Sequence, residues 1–150
     1  MKLNWSSILP EKQNDYKGSK ISFYFLILWA SIGLIRASIH IFAPDGGAGS
    51  IAHFDLNNEG AAALLFMFAA LGLSQISFTL FQWIVIFRYR SLIPLTLGLM
   101  LFSNILGLFA HFFKPIPNSP PGQIGSYALT IILPIIFLLS LAEPKTNENT

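Results

Sequence analysis

Four apolar runs, each roughly 20 residues or longer, constrain this chain more than any other feature. A bilayer core about 30 Å thick is crossed by about 20 residues at about 1.5 Å per residue. The runs are long and unbroken, unlike the short alternations of a soluble core. Only 11% of the 150 residues are charged and 53% are hydrophobic, against about 25% charged in a typical soluble domain. The sequence predicts an all-α protein, a four-transmembrane-helix bundle running up-down-up-down. The helices fall at about 20–42, 59–88, 92–113 and 124–142, with a polar segment 1–19 before them and a tail 143–150 after them. The second run is the longest and must tilt or protrude.

The first run invites confusion with a signal peptide. It begins only at Ile21, behind a charged segment, and continues to Phe42. A signal h-region is about 7–15 residues and ends at a small-residue cleavage site, so the run reads as a retained helix. Pro44 and the glycines Gly46, Gly47 and Gly49 stop it. The connection 43–58 then carries Asp45, His53 and Asp55. It reads either as a flexible turn or as a lid whose Ile51, Ala52, Phe54 and Leu56 dip into the interface, bringing Asp45 or Asp55 toward Arg36. The glycines have no following Lys, so this is no P-loop. The third connection is expected at 118–123.

Charge sets the orientation. Lys2, Lys12, Lys17, Lys20, Arg88, Arg90 and Lys145 fall on the side of the termini, and Lys114 alone on the other, with Arg36 inside a helix. The positive-inside rule then places both termini in the cytoplasm of a multi-pass protein of the cell membrane, inner or plasma. No basic stripe suggests nucleic acid. The absence of cysteine removes disulfides and thiolate metal sites. No carboxylate lies inside a span, Glu59 standing at the outer end of the second, which argues against a proton-coupled transporter and weakens an oligomeric channel or carrier.

Polar residues inside the spans are therefore the functional candidates. Arg36 lies about six residues, roughly 9 Å, below the outer end of the first helix. An arginine at the bilayer centre costs about 2.5–3.5 kcal/mol on insertion scales. Because side chains lean toward a helix's amino terminus, Arg36 is expected to lean toward the midplane and face the bundle interior or a polar cavity; the alternative is snorkelling to the headgroups. Gln75, Thr79 and Gln82 make one stripe with Gly72 on the second helix. Asn104, Gly107 and His111 make another on the third, and Thr130 lies at similar depth on the fourth. Such groups either fix helix register or line an outward-opening cavity for an anionic or polar headgroup, with Arg36, His40, Gln75, Asn104, His111, Asp45 and Asp55 as ligand-binding candidates. His40, His53, Asp55 and His111 are acceptable divalent-metal ligands by type, and His40 with His111 would suit a bis-histidine haem. Their spacing matches no metal motif, and no cofactor is expected. No Ser/His/Asp arrangement is evident.

Gly33-x-x-Arg36-x-x-x-His40, then Pro44-Asp45-Gly46-Gly47-Ala48 and Ser50-Ile51-Ala52, together with Gly72-Leu73-Ser74-Gln75 and Phe87-Arg88-Tyr89-Arg90-Ser91-Leu92-Ile93-Pro94, resemble a group of small four-helix integral membrane proteins of unassigned function. The resemblance implies the four-helix fold and brings no chemistry with it. The first functional expectation is binding of a lipid, small amphiphile or partner helix at the outer polar layer. The alternative is a membrane enzyme at the outer leaflet using the His/Asp groups. The small residues Ala30, Gly33 and Ala37 suggest a homodimer contact.

Overall fold

The computed structural model describes residues 8–116 and 120–142. Lys2 and Lys145, used above for orientation, lie outside them. The fold is all-helical: α1 (Lys20–Phe42), α2 (Ala61–Arg88), α3 (Ile93–Phe113) and α4 (Pro121–Leu141), with a short 3-10 turn Arg90–Leu92 before α3. All four are long and apolar enough to cross a membrane. Helix is the form this composition requires, because in hydrocarbon every backbone N–H and C=O must be satisfied within the segment. The hydroxyls obey the same constraint. Ser31, Ser38, Ser74 and Ser77 each donate to the carbonyl four residues earlier, so none faces lipid unpaired.

Two helix starts differ from expectation. α2 begins at Ala61 rather than at 59, because Asn58 and Gly60 form a turn in which the Asn58 side chain accepts from the Gly60 N–H. α4 begins at Pro121 rather than at 124. Residues 121–123, expected as loop, form its first turn. Proline suits the first helical position because its missing N–H has no helical partner there and its φ is already near the helical value. Pro120 and Pro121, assigned to the loop, are thus a helix start.

The helices pack as two antiparallel hairpins, α1 with α2 and α3 with α4, joined mainly by α1 against α4, while among the described residues α2 and α3 touch little and α2 and α4 not at all. One end of the bundle carries the termini (the terminal end). The other carries the α1–α2 and α3–α4 connections (the loop end). The hydrophobic core, Leu26, Ala30, Val85, Ile86, Ile93, Leu97, Met100, Leu133 and Ile136, comes from the terminal half of every helix. Ser22 Oγ donates to the Ile136 carbonyl at 2.8 Å and ties α1 to α4 there. Outward-facing positions are apolar along all four helices, among them Phe66, Leu73, Phe102, Ile131 and Leu138. An apolar outside around a small core is what a lipid solvent selects.

The segment before α1 is a strap across the terminal end. Gln13 N–H donates to the Arg88 carbonyl and Ser19 N–H to that of Leu139, so the strap partners carbonyls from the last turns of α2 and α4. Arg88 and the Tyr89 hydroxyl both reach back to the Pro10 carbonyl. Tyr16 donates to the Ser19 carbonyl, and burial pushes its phenol above the usual value. An open crevice of about 380 Å³ lies beneath the strap, lined in part by Asp15, Lys17, Ser91 and Ser140. Its lining charges, one acid and one base, cancel.

Candidate functional site

At the loop end the α1–α2 hairpin closes on glycine. A Cβ placed on Gly33 would stand 2.7 Å from Thr79 Oγ1, and one on Gly72 would stand 2.8 Å from His40 Cβ. Ala37 and Ala30 are fully buried on the same face. The small residues considered for a dimer contact are thus consumed inside the protomer, where they let α1 and α2 approach closely.

The connection that follows is compact. Asp45 Oδ1 accepts from the Gly47 N–H at 2.9 Å and Oδ2 from the Ser50 N–H at 2.6 Å. These bonds, Ser50 first, hold its carboxyl at about 2, below the usual 3.8. Gly46 and Gly47 take φ of 57° and 79°, values that a residue without Cβ adopts freely. The turn buries Gly46, Gly47, Ala48 and Ala52. Phe54 packs edge-on against Phe68, which also holds the His40 ring edge-on at 5.2 Å. The connection is thus a folded cap; it buries Ala52 but leaves Ile51 exposed, and it does not bring Asp45 or Asp55 to Arg36 as the lid reading expected.

Under the cap, His40 Nδ1 lies 2.7 Å from the Gly46 carbonyl oxygen, and Arg36 Nε donates to His40 Nε2 at 3.2 Å. Arg36 therefore turns toward the loop end and away from the midplane, contrary to the expected lean. The Cα–Cβ bond sets only the first step of a side chain with several rotatable bonds, and the partner sits one helical turn outward. The guanidinium also crosses to α4: a Cβ on Gly122 would meet Arg36 Nη2 at 3.1 Å. Arg36 itself is exposed, so in place of the expected position facing the bundle interior it stands in an open notch between α1 and the first turn of α4.

The other candidates divide. Gln75 lies on α2 between Gly72 and Thr79, level with Arg36 by the antiparallel register, and its Oε1 is buried without a hydrogen-bond partner. Asn104 is engaged elsewhere. It donates to Thr130 Oγ1 and accepts from Ser126 Oγ, both at 2.9 Å, clamping α3 to α4. Asp55 is exposed and accepts from the Asn57 N–H. Asp45 is saturated by the turn. Neither acid is the partner of Arg36; each is spent on the nearest backbone N–H groups, which needs no long-range ordering. His53 is exposed, with φ 57°, and His111 is half-buried near the end of α3. Among the described residues no three His, Asp or Glu side chains form a group able to hold a metal ion. His40, His53, Asp55 and His111 do not assemble as a metal centre, and both ring nitrogens of His40 are engaged within the chain.

Two residues of the notch escaped the sequence reading. Gly122 and Gln123 had been assigned to a loop; Gln123 Nε2 donates to the Tyr127 hydroxyl while its Oε1 is buried without a partner. The Pro120-Pro121 pair was the available signal. Compared with known protein families, with curated proteins and with solved structures, the chain matches none.

Proposed function

We propose that this multi-pass membrane protein binds the anionic headgroup of a lipid or small amphiphile in the loop-end notch, with Arg36 as its anchor. The observation that carries the reading is the state of that guanidinium. It lies about 9 Å inside α1 by helical rise, and among the described residues its one hydrogen-bond partner is an imidazole. A cation so placed is costly without an anion. The first turn of α4 supports the same sign, since a helix amino terminus favours negative charge. Asp45 and Asp55, the nearby acids in sequence, are committed to their own turns.

In this reading the notch faces outward and both termini are cytoplasmic, because Lys12, Lys17, Lys20, Arg88 and Arg90 collect at the terminal end. The likeness to small four-helix membrane proteins belongs to the same proposal and adds no chemistry. The native chain has no cysteine, so orientation is tested with single introduced thiols. Asn57→Cys should react with an impermeant maleimide in intact cells, while Glu11→Cys should not. The reverse pattern refutes the orientation.

Binding is tested by native mass spectrometry after equilibrating the protein with vesicles of equal phosphatidylglycerol and phosphatidylcholine. Wild type should retain the anionic lipid in excess and Arg36→Gln should retain both alike. Equal preference in the two proteins overturns the proposal.

A further inference from the structure

We propose that His40 is the positioning residue of this notch, and that the Arg36–His40 pair selects a ligand presenting two oxygens from one centre, a phosphate ester or a carboxylate. This rests on the anion-binding reading above and specifies its chemistry.

The argument runs along one chain of hydrogen bonds. The Gly46 carbonyl can only accept, so at 2.7 Å the proton of the contact sits on His40 Nδ1. In a neutral imidazole the other nitrogen, Nε2, then carries the lone pair. That lone pair accepts from Arg36 Nε. The carbonyl that sets this tautomer is itself fixed: Gly46 is buried at positive φ, in a turn closed by both oxygens of Asp45. The ring is further held by Phe68. A backbone element thus orients the imidazole, and the imidazole orients the guanidinium.

The consequence lies in which edge of Arg36 remains. A guanidinium offers two forks to an oxyanion, a side edge using Nε and one Nη, and an end edge using Nη1 and Nη2. With Nε occupied, the end edge is presented, beside the first turn of α4, where Gly122 leaves room for Nη2. Two parallel N–H groups match the oxygens of a phosphate or carboxylate bidentately. A hydroxyl or an amide carbonyl engages only one of them. The membrane depth of Arg36 makes a lipid headgroup the expected source of the oxyanion.

Two substitutions separate positioning from bulk. In His40→Gln the amide oxygen falls near the place of Nε2 and can accept from Arg36. In His40→Asn the amide nitrogen replaces Nδ1, keeps the Gly46 bond and leaves Nε without an acceptor. In the same vesicle assay, His40→Asn should lower phosphatidylglycerol retention about tenfold, equivalent to about 1.4 kcal/mol and close to the lower bound for one hydrogen bond to a charged group. His40→Gln should stay within about twofold of wild type. Retention by His40→Asn equal to wild type, or a loss in His40→Gln as large as in His40→Asn, overturns the role of His40. Loss in Arg36→Gln without loss in His40→Asn leaves the notch standing and removes His40 alone. Unchanged preference in Arg36→Gln removes the notch itself. Inorganic phosphate at millimolar concentration should leave the bound lipid in place; displacement would reassign the oxyanion source to free phosphate. Should the variants fail to fold, nitrogen-15 spectra of the wild type decide: a proton on Nδ1 is expected, and one on Nε2 alone refutes the chain.

Discussion

Gly72→Ala probes how the hairpin that carries the notch is built. The new Cβ would stand 2.8 Å from His40 Cβ, 2.9 Å from Ile41 Cγ1 and 3.1 Å from the Ala37 carbonyl oxygen. Carbon atoms pack best at about 3.5–4.0 Å, so α1 and α2 must part locally by roughly 0.7–1 Å. Rotation of Ile41 relieves one of the three contacts, but His40 Cβ and the Ala37 carbonyl are fixed by the α1 backbone. Overpacking of this kind costs about 1–3 kcal/mol. Alanine's helix preference over glycine returns about 1 kcal/mol at most. The net expectation is a destabilisation of up to about 2 kcal/mol. Gly107→Ala is the control: its Cβ would meet nothing within 4 Å, so the propensity gain stands alone. Gly33→Ala differs again, because its obstacle is the Thr79 hydroxyl. Adding Thr79→Ala should therefore relieve Gly33→Ala and leave Gly72→Ala unrelieved. Thermal unfolding in detergent, followed by size-exclusion chromatography of heated samples, measures all five. A Gly72→Ala protein that melts at or above Gly107→Ala refutes the close approach of α1 and α2.

The cap should respond to acid with a defined sign. Asp45 has a folded pKa of about 2 against an ordinary 3.8, so its contribution is complete above 3.8 and is lost as pH falls through the folded value. The amide proton resonances of Gly47 and Ser50 should titrate together near 2, and Asp45→Asn should abolish that titration; a midpoint at the ordinary value would show that the turn bonds do not form. Asn104→Ala should loosen α3 from α4 by about 0.6 kcal/mol, and by up to about 1.7 kcal/mol, since it removes interhelical bonds to Ser126 and Thr130. It should leave phosphatidylglycerol retention at the wild-type level; a specific loss of retention would show that Asn104 serves the notch.

The functional reading and the sequence reading meet at Arg36. Its cost in hydrocarbon marks it from sequence, whatever it touches. Its partner was less visible. His40 follows by four residues and shares its face, but the Gly46 carbonyl that sets the ring depends on two positive φ values and on Asp45 folding back on its own loop. Polarity alone grouped Asn104 with Arg36, because depth along the membrane normal can be counted in residues while rotation about the bundle axis cannot. The structure turns Asn104 onto α4.

By itself, the sequence determined the spans, since the length and apolarity needed to cross hydrocarbon are local properties of each run. It also marked the polar residues whose burial had to be compensated. Tertiary structure decided who compensates whom. The glycines of α1 and α2 close one hairpin, the Asn104 clamp closes the other, and the prolines before Gly122 start a helix whose first turn meets Arg36. Those pairings depend on helix rotation and close approach between segments far apart in the chain, and neither leaves a periodic trace within any one of them.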